Sequence, residues 1–117
     1  MQLKSDLDGQ NLLNQVIHEY YERQNRIVRN FSSGEEQDGA YYTYYLIDRK
    51  HVIRYSIGPD REFMLGAVEL AIGPNYFNPA AFWSYENYQR FSMDATTEAV
   101  ELNLFLLDEF LGCKGGC

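Results

Sequence analysis

Between Asp6 and Arg29 the apolar residues Leu12, Leu13, Val16, Ile17, Tyr20, Tyr21, Ile27 and Val28 fall within one arc of about 180° at helical spacing, which predicts an amphipathic helix. Its polar face sets Glu19 four residues before Arg23 and Glu22 four before Arg26, the favourable order for ion pairs along a helix. Arg26 and Arg29 at its end suit the helix dipole. Ser32 to Gly39 is polar and bounded by glycine, and reads as a mobile connection.

Ala40 to Ile47 is rich in Tyr and β-favouring residues, and His51 to Ile57 alternates Ile53, Tyr55 and Ile57 against Val52, Arg54 and Ser56. These two runs predict a hairpin turning at Asp48-Arg49-Lys50. Gly58-Pro59-Asp60 is a second turn signal. Residues 62–72 fit either a third strand buried on both faces or a helix ending at Gly73-Pro74; the strand is favoured, because a lone hairpin is marginal. Asn78-Pro79 opens an N-capped helical turn, and Asp94 to Leu111 predicts a final helix stopped by Gly112. The expected architecture is α+β over a single domain, residues 1–112. It runs N-terminal helix, three-stranded antiparallel sheet, aromatic-rich crossover, C-terminal helix, with both helices on one face of the sheet.

The final helix breaks a local rule. From Phe91 to Cys113 the chain carries Asp94, Glu98, Glu101, Asp108 and Glu109 with no Lys or Arg, and these acids project into an arc of about 100° opposite the leucines. Acids near a helix C-terminus oppose its dipole at roughly 0.3 to 1 kcal/mol each, so an unpaired row there suggests a functional surface. Phe105 projects into the row, like an anchor ringed by a charged rim. Asn103 points into the apolar arc and must find partners, most simply carbonyls of the crossover. Consecutive tyrosines on a strand point to opposite faces, so part of the set Tyr41, Tyr42, Tyr44 and Tyr45 avoids the helix-covered side. The candidate contact residues are Glu98, Glu101, Phe105, Asp108, Glu109, Tyr42 and Tyr44. The crossover rings Tyr76, Phe77, Phe82, Trp83, Tyr85, Tyr88 and Phe91 are expected mostly in the core.

Composition narrows the function. The 117 residues hold 10 basic and 17 acidic side chains, a net charge of −7, which opposes binding to a phosphate backbone as the main task. Arg23, Arg26, Arg29, Arg49, Lys50 and Arg54 with neighbouring tyrosines are the one basic grouping that could touch RNA. With two histidines and no Cys-x-x-Cys or His-x-x-x-His spacing, neither a zinc site nor a cofactor is implied. Met1 to Gly9 lacks a signal-peptide pattern, and no apolar run approaches a membrane span, so a cytoplasmic protein is expected. There Cys113 and Cys117 stay reduced in a flexible tail, residues 113–117.

Size, acidity, the α+β order, the strand-turn-strand through Arg61-Glu62-Phe63, the exit Ile72-Gly73-Pro74 and Phe82-Trp83 before the last helix together resemble the small acidic immunity proteins that accompany bacterial polymorphic or contact-dependent toxins. The resemblance implies tight binding to a cognate toxin, often a nuclease with a basic cleft, and no catalysis by the immunity protein. It carries over no contact residue; the candidates above come from the helical wheel and the strand alternation. The expected activity is capture and occlusion of a basic protein partner, without nucleic acid or membrane, with oligomeric state open. Two alternatives remain: a dimeric secretion chaperone binding an effector segment, and a small hydrolase using His51.

Overall fold

The computed structural model describes residues 6–7, 9–60, 63–81 and 83–112. The tail expected over 113–117, with both cysteines, lies outside the described residues, as do Asp8, Arg61, Glu62 and Phe82.

Helix α1 (Gln10–Glu22) buries Leu13, Ile17, Tyr20 and Tyr21, as its pattern requires. It ends well before Arg29. The Arg23 and Arg26 amides donate to Glu19 O and Tyr21 O, and Asn25 adopts a left-handed φ of 57°, which reverses the chain. The β-branched pair Ile27-Val28, compatible with a helical wheel, instead leads into β1 (Val28–Glu35), because β-branched side chains sit more easily on a pleated surface. The first half of the mobile connection expected over Ser32 to Gly39, Ser32 to Glu35, is therefore strand. Glu36 to Gly39 alone is turn, closed by the Glu36 amide on Ala40 O at 2.7 Å. As an exposed sheet edge, β1 carries no alternation to read.

The hairpin of β2 (Tyr41–Ile47) and β3 (His51–Asp60) turns through Asp48 and Arg49, both left-handed at φ 54° and 61°. The Lys50 amide donates to Ile47 O at 2.9 Å, the geometry of the mirror-image turn that matches strand twist. Gly58-Pro59-Asp60 is not a turn: β3 runs through it, pairing Pro59 with Met64. Pro59 lies beyond the last β2 pair, Tyr41 with Ile57, where one side of the strand is already an edge and a missing N–H is tolerated. Residues 63–72 form the favoured strand, β4 (Phe63–Ile72), and Gly73 at φ 64° turns into β5 (Asn75–Phe77). Among the described residues the sheet thus has five antiparallel strands in the order β1-β2-β3-β4-β5, where patterning predicted three.

A 3-10 turn (Pro79–Ala81) is capped by Asn78, whose Oδ1 accepts from the Ala80 amide at 2.9 Å. After α2 (Tyr85–Tyr88), residues Asp94 and Ala95 stay extended rather than opening the last helix. Asp94 bridges to Leu65 of β4, and Ala95 O accepts from the Asp6 and Leu7 amides. Helix α3 (Thr97–Leu111) starts at a Thr96 cap and stops at Gly112, φ 70°. Tyr45 donates to Asn14 of α1, and Asn103 of α3 donates to the Tyr55 hydroxyl at 2.8 Å. Both tyrosines face the core, so α1 and α3 cover the same face of the sheet. The core between them gathers Leu13, Ile17, Tyr45, Ile53, Tyr55, Ile57, Val100, Leu104 and Leu107. Asn103 is also satisfied by the crossover, accepting from the Ser92 amide at 2.8 Å and donating to Ser92 O at 2.7 Å. No helix among the described residues is long and apolar enough to cross a membrane.

Candidate functional site

The acidic row on α3 is largely neutralised from within the molecule. Asp94 precedes the helix, and Glu98 is exposed. Glu101 pairs with Arg23, and Glu109 pairs with Arg90 at 3.0 Å. Asp108 is removed from the surface altogether. It is 4% exposed, takes Arg26 through Nη1 at 2.6 Å and Nη2 at 3.0 Å, and accepts from the Tyr20 hydroxyl at 3.1 Å. The row is therefore not the unpaired, solvent-facing one that the helical wheel predicts, and Asp108, buried on Arg26, offers no contact surface to a partner. The cause is the early end of α1. Arg23 reaches back to donate to Glu19 O and across to α3, rather than pairing with the Glu19 carboxylate. Arg26, freed from the helix, lies under the turn and meets Asp48 as well, at 2.6 Å.

This buried network sets the local electrostatics. Burial works against the Arg26 guanidinium, but hydrogen bonds to Asp108 and Asp48 outweigh it and hold its pKa above the ordinary arginine value. The guanidinium also rests 4.8 Å from the Tyr21 ring centroid. Burial first, and then the Asp108 charge, pushes the Tyr20 phenol up to about 12. His51, at the start of β3, is drawn below its ordinary value by burial and by Lys50; His18 sets its ring edge-on to Tyr45 at 5.7 Å. Of the α3 candidates, Phe105 stays exposed at 44%, beside Leu102 at 41%, with Glu98 as neighbouring charge.

The sheet face turned away from the helices holds a different constellation. Along β2 the buried residues Tyr41, Thr43, Tyr45 and Ile47 alternate with half-buried Tyr42, Tyr44 and Leu46, so both candidate tyrosines stand on the open face. Strand register puts Tyr44 opposite Arg54 and Arg54 opposite Glu69. Arg54 donates from Nε to Glu69 Oε1 at 2.9 Å, and its Nη1 reaches the Tyr44 hydroxyl at 3.4 Å. Its guanidinium lies 4.6 Å from the Tyr76 ring centroid and 5.8 Å from that of Tyr44. The rings of Tyr42 and Tyr76 each stand edge-on to Tyr44 at 5.4 Å. Burial opposes the Arg54 charge, yet its bonds to Tyr44 and Glu69 raise its pKa.

Two local devices build this face. The register of β1 against β2 shifts between Asn30 and Ser32, and that bulge directs Phe31 to within 6.0 Å of the Tyr44 ring; bulges commonly re-aim a side chain in this way. Asn30 steadies it, donating to Ser32 O and Tyr44 O at 3.0 Å each. The Tyr42 ring lies directly on Gly34, where a Cβ would come 2.7 Å from its hydroxyl. Beside these rings is a hollow of about 330 Å³, walled by Tyr42, Tyr44 and Arg54, with Ser56, Gly58 and Ala40 beneath and Glu36 and Glu69 at its polar edge.

Comparison with family models, curated proteins and solved structures finds no match. The geometry therefore stands alone. It brings Tyr42 and Tyr44 together, parts them from the α3 candidates across the sheet, and adds Phe31, Arg54, Glu69 and Tyr76. Alternation in β3 already placed Arg54 opposite the core residues. Nothing local marked Phe31, which lies in the stretch between predicted helix and loop.

Proposed function

We propose that the chain is a non-catalytic binding domain of the immunity type, which captures and occludes a basic protein through the open face of its sheet. The observation that carries this reading is the array of Phe31, Tyr42, Tyr44 and Tyr76 around an arginine already bound to a carboxylate. Rigid aromatic groups with polar tips are the side chains that dominate protein interfaces. Charge supports a basic partner: four of the described cations, Arg23, Arg26, Arg54 and Arg90, are consumed by internal carboxylates, while the end of β1 and the turn after it carry exposed Glu35, Glu36 and Asp38. Complementary charge chiefly raises the association rate and suppresses wrong partners.

The test immobilises wild type, Tyr42→Ala/Tyr44→Ala and Glu98→Lys/Phe105→Ala, passes native cell extract over each at low salt, and measures kinetics with the purified captured protein. A basic protein held by wild type and by the helix variant but weakened about 30-fold or more by the sheet variant is expected, the scale of a hot-spot truncation. Its association should slow as salt rises, and co-expression should relieve any growth arrest it causes. Capture unchanged in the sheet variant, or lost only in the helix variant, overturns the reading.

A further inference from the structure

The open face contains a worked example of what it binds. Arg54 is held as an incoming arginine would be: its guanidinium carbon lies 4.6 Å from the Tyr76 ring centroid and 5.8 Å from that of Tyr44, while Nε donates to Glu69. Immediately beside it the same elements recur around the hollow of about 330 Å³. Tyr42 supplies a second aromatic wall, Glu36 a second carboxylate, and Ser56 a hydroxyl acceptor. Gly58 and Ala40 contribute almost no side chain, which keeps the floor low. Among the described residues Glu36 makes no side-chain ion pair. The one cation among the described residues lining the hollow, Arg54, is already matched by Glu69, so the remaining polar side chains are neutral hydroxyls, able to accept or donate, and the Glu36 carboxylate. That set repels anions and suits a cation. The volume is at the lower end of small-ligand sites, about 300 to 1,000 Å³, and admits one long side chain rather than a multi-ring cofactor.

We infer that this hollow receives one arginine side chain of the partner, its plane on the face of one of the two perpendicular rings, Tyr42 or Tyr44, its edge toward the other, and its charge paired with Glu36. The inference rests on the binding function proposed above and names the group that function recognises. A guanidinium fits better than an ammonium because it is planar, less strongly hydrated and stacks on ring faces while its edge bonds a carboxylate. Gly34 is part of the device, since it lets Tyr42 settle onto β1 and form the wall.

The experiment is an NMR titration of the full chain with Nα-acetylarginine amide and, separately, with Nα-acetylcitrulline amide, which has the same shape without the charge. Saturable millimolar binding is expected, with shifts at Glu36, Ala40, Tyr42, Ser56 and Gly58 and a preference of about fivefold for arginine. Glu36→Gln should erase most of that preference. Gly34→Ala, which deletes no contacting group, should weaken binding by displacing Tyr42; resonance dispersion equal to wild type confirms that both variants fold. Equal binding of citrulline, shifts centred elsewhere, or no saturation overturns the inference. Partner capture separates the two claims. If Tyr42→Ala/Tyr44→Ala loses the partner while Glu36→Gln keeps it at full affinity, the arginine socket is wrong and the docking face stands. If the sheet variant keeps the partner, the face itself is wrong.

Discussion

Asp108→Ala distinguishes the structure from the helical wheel by the sign of its effect. As an exposed acid in the last turn of α3, Asp108 would oppose the helix dipole, and its removal would stabilise the fold by roughly 0.3 to 1 kcal/mol. In the structure the carboxylate is 4% exposed and Arg26 8%, and Asp108 accepts from Arg26 at 2.6 and 3.0 Å and from Tyr20 at 3.1 Å. Truncation leaves the Tyr20 hydroxyl and one edge of the guanidinium buried without that acceptor. Breaking a buried pair costs about 3 to 5 kcal/mol when it strands a charge. Here Asp48 still binds Arg26, at 2.6 Å from Nη2 and 3.0 Å from Nε, so the loss falls near the lower end, about 3 kcal/mol. For a chain of this size that lowers the melting temperature by about 12 °C. The assay is urea unfolding at neutral pH, read as a shift in midpoint at constant slope. Glu109→Ala is the internal control. Its surface pair with Arg90 is worth about 0.2 to 1 kcal/mol, which relief of the dipole offsets, so its midpoint should scarcely move. A stabilised or unchanged Asp108→Ala would refute the buried network.

Arg49→Gly should stabilise the protein by about 0.5 to 1 kcal/mol, because Arg49 sits in the left-handed region at φ 61° and a side chain costs about 1 to 2 kcal/mol there; a lower melting temperature would contradict the turn geometry. Alkaline pH should unfold the protein through its buried phenols. Burial lifts Tyr20 and Tyr45 from 10.0 to about 12, so between these values the unfolded chain has lost protons that the folded one keeps, and stability falls as pH rises through that window. Urea midpoints across it should drop, and Tyr45→Phe should shallow the fall; a flat profile would contradict the burial.

Much of the fold is legible in the residues. The alternation of Tyr41, Tyr42, Tyr44 and Tyr45 divides β2 between two environments, Ile53, Tyr55 and Ile57 mark the inner side of β3, and Gly112 marks the end of α3. Asn103, an amide among leucines, announces its own need for partners and finds them at Ser92 and Tyr55. Two misreadings share one origin. Ile27 and Val28 satisfy the helical arc of α1, but periodicity cannot show that Asn25 reverses the chain. A helix drawn through to Arg29 leaves β1 as an apparent loop, and Phe31 with it.

Local pattern thus determined which side chains seek burial and on which face of their own element they stand, because both follow from repeats of 3.6 and 2 residues. The fate of the acids on α3 required the folded chain. Arg26 meets Asp108 across 82 residues of sequence and Arg23 meets Glu101 across 78, and no periodicity spans such distances. A charge that looks unpaired along one helix is unpaired only if no other element brings a counterion to it. On this protein the turn after α1 brings two, and the surface left for a partner is the one whose aromatic rings the helices do not cover.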